Sequence, residues 1–321
     1  MSGSEPRRRS PWLRVLLGAG WLAVALLAGL VLVRAIGWQA GPLVPVVALL
    51  PWFAVLGLVA VVSALVARAW LLLGVAVALL AVLVAWQVPL YVADGAAQGS
   101  PVMKVASVNV TLGRADTGAV VELVRAQGVD VLSVQELTPT AAAALEAGGL
   151  DELLPYRDVR PHPGASGSGL WSRYPMTSSS RVDGFMSAFI TAQLETPVGP
   201  MTVFAVHPDA PGQVVHDRWA RDLAQLHDVL AAAQGPVLVA GDFNSTRDHV
   251  QFRDIEALGY RDAADQAGAG FLPTFPHGRG PWPVVAIDHV MVRGTPLHAT
   301  DVATYAIPNA DHLALVVSYS R

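Results

Sequence analysis

The sequence predicts three apolar membrane helices joined to an α/β domain of packed sheets with outer helices. Apolar residues crowd one end of the chain, and three runs there reach membrane-spanning length. Beyond them, short β-rich runs alternate with helix-period runs, and strands then follow one another towards the C-terminus, the pattern of sheets covered by helices.

The chain is 53% hydrophobic and 14% charged, with a mean hydropathy of +0.45. A soluble domain averages roughly 45–50% apolar and about 25% charged. The excess is local. Between Arg14 and Tyr91 only Arg34 and Arg68 carry charge, whereas charges recur in every segment from Lys104 onward. Spans are expected at about 15–33, 43–67 and 69–90, inside a membrane region 1–92. A basic cluster before an apolar run also begins a signal peptide, but this run exceeds the usual 7–15 residues or so and two more follow it. Pro45 and Pro51 are expected to kink the second helix, and Trp12, Trp38, Trp70, Trp86 and Tyr91 fall near helix ends, where aromatic belts form.

Arg7, Arg8, Arg9 and Arg14 precede the first span, Arg34 alone follows it, and Arg68 separates the second from the third. The positive-inside rule then puts the N-terminus in the cytoplasm and everything after about residue 92 outside it, as a multi-pass protein of the cell membrane. The spans hold no Asp, Glu or His, which gives a proton relay or transport site little support. The absence of cysteine removes disulfide and thiolate-metal readings.

Residues 93–101, "ADGAAQGSP", read as a linker to a domain over 102–321. There, 104–110 is an alternating strand and 117–128 a helix closed by glycine. A buried strand over 129–136 precedes a helix over 138–149 with Thr138 as cap and Pro139 at its first position. Strands follow near 168–173, 188–195 and 201–206, the last two joined by a Pro-Gly turn. A long amphipathic helix over 214–235 leads to the strand in "PVLVAGDFNST" (236–246), then a helix near 249–258. Strands over 284–294, 299–307 and 313–320 close the chain.

Polar residues with chemical capacity fall repeatedly at strand ends. Asn109 and Glu136 end the first two strands, and His207 ends the strand after the Pro-Gly turn. Asp242 and Asn244 end the next and share a face by the two-residue strand period. Asp288 interrupts an apolar strand, and Asp311 and His312 stand just before the last one. Each has an ordinary alternative: a bent strand edge, a solvated helix lead-in, a half-buried histidine, or the Asp and Asn that turns favour. Their shared position is what those alternatives leave unexplained. Arg218, Arg221, His216, His227 and His249 are expected on the surface, and His289, pointing opposite Asp288, in packing.

The pieces "SVNV", "QE", "SGSGLWSRYP", "HP", "GDFN", "IDHV" and "NADH" resemble, in order, the motifs of the endonuclease/exonuclease/phosphatase superfamily over about 104–320. The resemblance does not cover the apolar helices. It implies a four-layer sandwich of two mixed sheets with outer helices and a divalent-metal phosphoesterase site at one rim. It implies Mg²⁺, with Mn²⁺ as an alternative, held by Glu136 with Asn109 beside it, and Asp311 near a second metal position. Asp288 and His312 would form a carboxylate–histidine pair, and His207 would contact the phosphate and assist the leaving group. Asp242 and Asn244 would orient the attacking water and the transition-state oxygens. Whether Asp242 or His312 takes the water's proton is left open.

The substrate implied is a phosphoester. No clear counterpart stands in "HPDAP" to the tyrosine that the abasic-site endonuclease branch carries, which argues against abasic-site repair. Residues 100–321 contain 15 basic and 23 acidic residues, a net charge of −8. Nucleic-acid binding ordinarily rests on a basic surface, so the balance and the bilayer tether favour a lipid or small-molecule phosphodiester over nucleic acid. A catalytically inactive, membrane-tethered binding module is the alternative from another class.

Overall fold

The computed structural model describes residues 10–95, 100–212 and 217–321. Arg7, Arg8, Arg9, His216 and the middle of the linker, 96–99, lie outside the described residues. Two compact units are present: Met1–Gln39 with Leu49–Val88, and Ala40–Ala48 with Pro89–Arg321.

The first unit contains α1 (Pro11–Ile36), α3 (Ala54–Ala67) and α4 (Trp70–Gln87), with α2 (Leu43–Ala48) falling in the second unit. Helices long and apolar enough to cross a membrane cover Pro11–Ile36, Leu50–Ala67 and Trp70–Tyr91. Small residues let them approach: a Cβ on Gly20 would lie 2.8 Å from Leu72 and 2.9 Å from Ser63. Their outward surfaces carry exposed Trp21, Leu22, Leu26, Leu58 and Leu71. Arg34 is buried at the end of α1 and stacks over the Trp86 ring at 3.9 Å.

The second span, expected over 43–67 with kinks at Pro45 and Pro51, is divided rather than bent. The chain runs instead through α2, a 3₁₀ turn at Leu50–Phe53 and α3. Pro51 cannot donate a helical hydrogen bond, and its ring crowds the carbonyl four residues back, so α-helix cannot continue through it. The apolar residues of α2 serve a protein core. Val44 is fully buried with Trp219, Phe252 and Tyr260, and its carbonyl lies 3.0 Å from Nε2 of His249.

The remainder of the second unit is a four-layer α/β sandwich. One mixed sheet has the order β11-β12-β1-β2-β4-β3, with β1 at Met103–Asn109, β2 at Val131–Gln135, β3 at Tyr156–Arg160, β4 at Ser168–Ser172, β11 at His298–Ala306 and β12 at Leu313–Ser320. The other has the order β5-β6-β7-β8-β10-β9, with β5 at Met176–Arg181, β6 at Ile190–Thr196, β7 at Gly199–Val206, β8 at Val237–Asp242, β9 at Arg261–Asp262 and β10 at Asp288–Arg293.

Each sheet contains one parallel pair at its centre, β1 with β2 and β7 with β8. Parallel neighbours release their C-terminal ends at the same edge, so these four strands end together. Asn109 registers with Gln135, and Val206 with Gly241. The antiparallel β10 begins where β8 ends, with Asp288 opposite Asp242.

Between the sheets lie Met103, Val105, Val131, Ile190, Val203, Leu238, Val290 and Val317. On the outer face of the first sheet, α5 (Thr117–Gln127) and α6 (Pro139–Ala147) bury Val120, Val124, Ala141 and Leu145 against β1, β2 and β4. Their starts are capped by Asp116, which accepts from Ala119 N, and by Thr138, which accepts from Ala141 N. Behind the second sheet, α8 (Asp217–Ala232) and α9 (Val250–Ala257) bury Trp219, Leu223, Leu226 and Phe252. Two short helices, α7 (Leu150–Leu153) and α10 (Ala263–Ala267), complete the second unit.

Asp288 does not interrupt a strand, as the sequence suggested, but opens β10. The preceding residues fold back as an irregular segment, with Thr274 N and Phe275 N both donating to Val285 O.

Candidate active site

The interlayer core changes character along its length. On the inward face of β1 the order is Met103, Val105, Ser107, Asn109; on β2 it is Val131, Ser133, Gln135; on β8 it is Leu238, Ala240, Asp242. Apolar side chains fill the middle and polar ones the rim, and all these polar residues are buried. The sheets are cross-bonded there: Ser133 Oγ donates to Ala240 O at 3.0 Å, and Gln135 Nε2 to Ser133 Oγ at 2.7 Å. Buried polar groups need partners, and this network supplies them while fixing the rim side chains.

Asp242 Oδ2 is the hub. Asn109 Nδ2 donates to it at 3.1 Å, and Nε2 of His312 and of His207 stand 3.6 and 3.8 Å away. Asn109 Nδ2 is also 3.3 Å from Glu136 Oε1, and the other Glu136 oxygen accepts from Leu112 N at 2.7 Å. His312 Nδ1 is bonded to Asp288 Oδ2 at 2.9 Å, and its ring packs on Phe275 with centroids 4.8 Å apart. The structure therefore gathers Asn109, Glu136, His207, Asp242, Asp288 and His312 around one point.

The strand period does not align Asp242 with Asn244. β8 ends at Asp242, and Asn244 takes a left-handed conformation with φ +48°. A turn aims it instead: Asn244 N donates to Asp242 Oδ1 at 2.8 Å, and Asn244 Nδ2 to Pro208 O at 3.0 Å. The turn and the site use the same two residues. Gly241 is required beside them, because a Cβ there would sit 2.0 Å from the Val206 carbonyl of the parallel strand. Glu136 is likewise left-handed, at φ +57°, as are Thr111 and Leu112 at +52° and +55°. Such conformations cost roughly 1–3 kcal/mol each in non-glycine residues and gather where a structure needs a side chain held in place.

Asp311 faces the site's edge, bonded to Thr111 Oγ1 at 2.7 Å and to Arg279 Nη2 at 2.7 Å. Thr111 N in turn donates to Asn109 Oδ1 at 2.8 Å. Thr111, the Leu112 amide and Arg279 were not legible as site residues, although the left-handed Gly113 in "NVTLGR" marked a tight turn at the place.

Burial works against charge on His312, but the carboxylates of Asp288 and Asp242 outweigh it and push the ring up to about 10. Burial lowers His207 below its ordinary value against the pull of Asp242, which leaves it neutral at neutral pH. Burial raises the Asp242 carboxyl; His312 opposes that rise and Asp288 adds to it. The site thus pairs a carboxylate made more basic with an imidazolium held beside it.

The other histidines fall into two groups. His227 is half-exposed, as expected, and Arg218 pairs with Asp209 at 3.1 Å on the helix surface. His249, expected on the surface, is buried: Nδ1 accepts from Thr246 N at 2.9 Å and the ring meets Trp219 edge-on. Trp219 Nε1 donates to Asn244 O at 2.9 Å, so this pair supports the site from behind. His289 is packed as expected, and also braces the site loop, held by Asp262 Oδ2 at 2.8 Å and by Ser245 O at 3.1 Å.

The sequence profile of the Endonuclease/Exonuclease/phosphatase family matches residues 106–312, a stretch that contains every one of these side chains. The chain belongs to the endonuclease/exonuclease/phosphatase family. It is thereby a phosphoric-ester hydrolase. Solved structures share the fold: an AP endonuclease from Archaeoglobus fulgidus is 17% identical, with a TM-score of 0.59 over 68% of this chain and 100% of its own. A family member from Bacteroides vulgatus is 19% identical, with a TM-score of 0.54 over 68% and 98%. The 3′ phosphatase NExo from Neisseria, described bound to a product DNA hairpin, is 17% identical, with a TM-score of 0.54 over 68% and 100%. No curated protein matches the chain by sequence.

The donors at the rim suit a hard divalent cation, which prefers oxygen ligands. Glu136 offers a carboxylate there, while Asn109 turns its amide nitrogen to Glu136 and Asp242 and its oxygen to Thr111 N. The ligating atoms of Asp242, Asp288 and His312 also lie within 4.8 Å of one another, but Asp288 already occupies the Nδ1 side of the His312 ring.

Proposed function

We propose that the protein is a membrane-anchored, divalent-metal-dependent phosphodiesterase of lipids or small molecules, its catalytic domain (102–321) lying outside the cytoplasm. The observation that carries the chemistry is the convergence of side chains from both sheets on Asp242 Oδ2. Glu136, with Asn109 beside it, would hold the cation, Mg²⁺ or Mn²⁺, and Asp311 adjoins the same edge. Bound there, the cation neutralises charge on the phosphodiester and on its transition state.

The chain's own groups do the rest. Asp242 Oδ2, its basicity raised by burial, takes the proton of the attacking water as the new P–O bond forms. Asn244, aimed by its turn, donates to a non-bridging oxygen of the phosphoryl group. His312, protonated and oriented by Asp288, donates to another and stabilises the charge that accumulates there. His207, neutral and buried, contacts the phosphate on the side of the departing oxygen. The bond to that oxygen breaks as the new one forms, inverting the phosphorus; the departing alkoxide takes a proton from solvent, and Asp242 returns its own there.

The anchor rests on the three apolar helices with lipid-suited outer faces. The orientation rests on the arginines, clustered before the first span and with Arg68 between the second and third. The lean towards lipid or small-molecule substrates rests on the domain's net charge of −8.

A phosphoester panel tests the reading. The purified chain is assayed with Mg²⁺ and Mn²⁺ on DNA, RNA, sphingomyelin, phosphatidylinositol and its phosphates. Hydrolysis of a phospholipid or small diester above plasmid DNA is expected; efficient plasmid cleavage at moderate salt without phospholipid turnover would make the protein a nuclease instead.

A further inference from the structure

A cavity of about 660 Å³ opens beside the catalytic centre, on the side of Asp311 and Thr111. It is lined by Arg114, His277 and Arg279 on two separate loops, with backbone and small side chains of 306–310 as its floor. In a domain with eight more acidic than basic residues, two arginines on one cavity stand out. Among the described residues Asp311 is the only carboxylate that lines it.

The cationic groups are held in position. Arg114 Nε donates to Thr111 O at 3.2 Å, which ties it to the turn after Asn109. Arg279 Nη2 lies 2.7 Å from Asp311 Oδ2. The loop carrying it is pinned at His277, whose backbone N donates to Asp311 O at 2.7 Å. One arginine charge is compensated by Asp311; the other has no carboxylate facing it in the cavity.

A single phosphodiester carries one negative charge, and the rim residues already meet it. From this surplus we infer that the cavity binds a second, non-scissile phosphate of the substrate, with Arg114 and Arg279 as specificity-determining residues. The inference rests on the phosphodiesterase reading and narrows its substrate to one bearing two phosphoryl groups. Guanidinium groups suit a phosphate because their N–H donors match its oxygens in pairs. The second phosphate could belong to a phosphorylated lipid headgroup or to a soluble bisphosphate, and the cavity chemistry is the same for both.

Binding without turnover tests this separately from hydrolysis. The full chain, in detergent and EDTA, is titrated calorimetrically with thymidine 5′-phosphate and thymidine 3′,5′-bisphosphate. A parallel arm uses short-chain phosphatidylinositol and its 4-phosphate. The doubly phosphorylated member of at least one pair is expected to bind about tenfold more tightly or better, as charge-assisted bonds imply. The ratio should fall towards one in Arg114→Gln, which leaves the Arg279–Asp311 pair intact, and in Arg279→Gln. Preference in the lipid arm alone identifies a headgroup, and in the nucleoside arm alone a soluble ligand; either upholds the inference. Equal affinities within both pairs in the wild-type chain, or a preference that survives both substitutions, would overturn it. A preserved preference in a chain that hydrolyses no phosphoester would overturn only the catalytic reading.

Discussion

His312 Nε2 stands 3.6 Å from Asp242 Oδ2, while the opposite nitrogen of the same ring is bonded to Asp288. One imidazole thus bridges two buried carboxylates that open and close neighbouring antiparallel strands. The two carboxylates hold the ring's pKa up against its burial. The proposed mechanism accordingly gives the water's proton to Asp242 and the stabilisation of phosphoryl charge to His312.

The pH dependence follows from that bridge. His312 is pushed up to about 10 against its burial by Asp288 and Asp242, so activity that needs the imidazolium should persist until pH nears that value. Asp288→Asn removes the first-named of those charges and should move the alkaline limb of the pH–rate profile downward. A limb unchanged by the substitution would dissociate His312 protonation from turnover.

Metal dependence falls on Glu136. EDTA should abolish hydrolysis of any accepted phosphoester, with Mg²⁺ or Mn²⁺ restoring it. Glu136→Gln should raise the cation concentration needed for half-maximal rate. Full turnover in chelated buffer would remove the proposed role of Glu136 and Asn109.

Stability should carry its own pH signature, away from the catalytic rim. Burial first, then Asp265 and Asp262, push the Glu256 carboxyl up to about 7. The folded state therefore holds a proton that the unfolded chain releases near its ordinary value of 4.5. Stability from this group is lost as pH rises between those values, since the native state binds more protons there. Glu256→Gln, always neutral, should gain on the wild type in Tm from pH 4.5 to 7 and keep the advantage at pH 8. A Tm difference that does not change with pH would contradict the assignment.

Much of this was legible in the sequence because strand ends are marked by chemistry. Asn109, Glu136, His207, Asp242, Asp288 and His312 each follow or precede an apolar run, and the parallel pairs bring those ends to one edge. Other features were hidden for definable reasons. The edge strands β3 and β5 read "YRDVR" and "MTSSSR", with exposed polar side chains and no apolar face to give a period. The prolines of the run 43–67 marked kinks, but not that α2 joins a protein core, because a buried protein contact and a lipid contact select the same apolar residues. His249 looked like a surface residue since its partners, Val44 O and Thr246 N, are backbone atoms without a sequence signature. Arg114 and Arg279, 165 positions apart, meet at one cavity only through the fold.

Topology is open to a direct check. A reporter that fluoresces only in the cytoplasm, fused after Arg321, should stay dark, and one fused after Arg68 should be bright. The reverse pattern would invert the orientation drawn from the arginines.

The most direct test of the account is turnover by Asp242→Asn with saturating Mn²⁺ on the best phosphodiester from the panel. The substitution keeps the shape of the side chain and removes the oxygen's capacity to take a proton. A positioned general base typically contributes about 10²–10⁴-fold, so kcat should fall by at least about a hundredfold in a variant whose melting curve shows it folded. Turnover within a few-fold of the wild type would contradict the claim that catalysis is organised around Asp242 Oδ2.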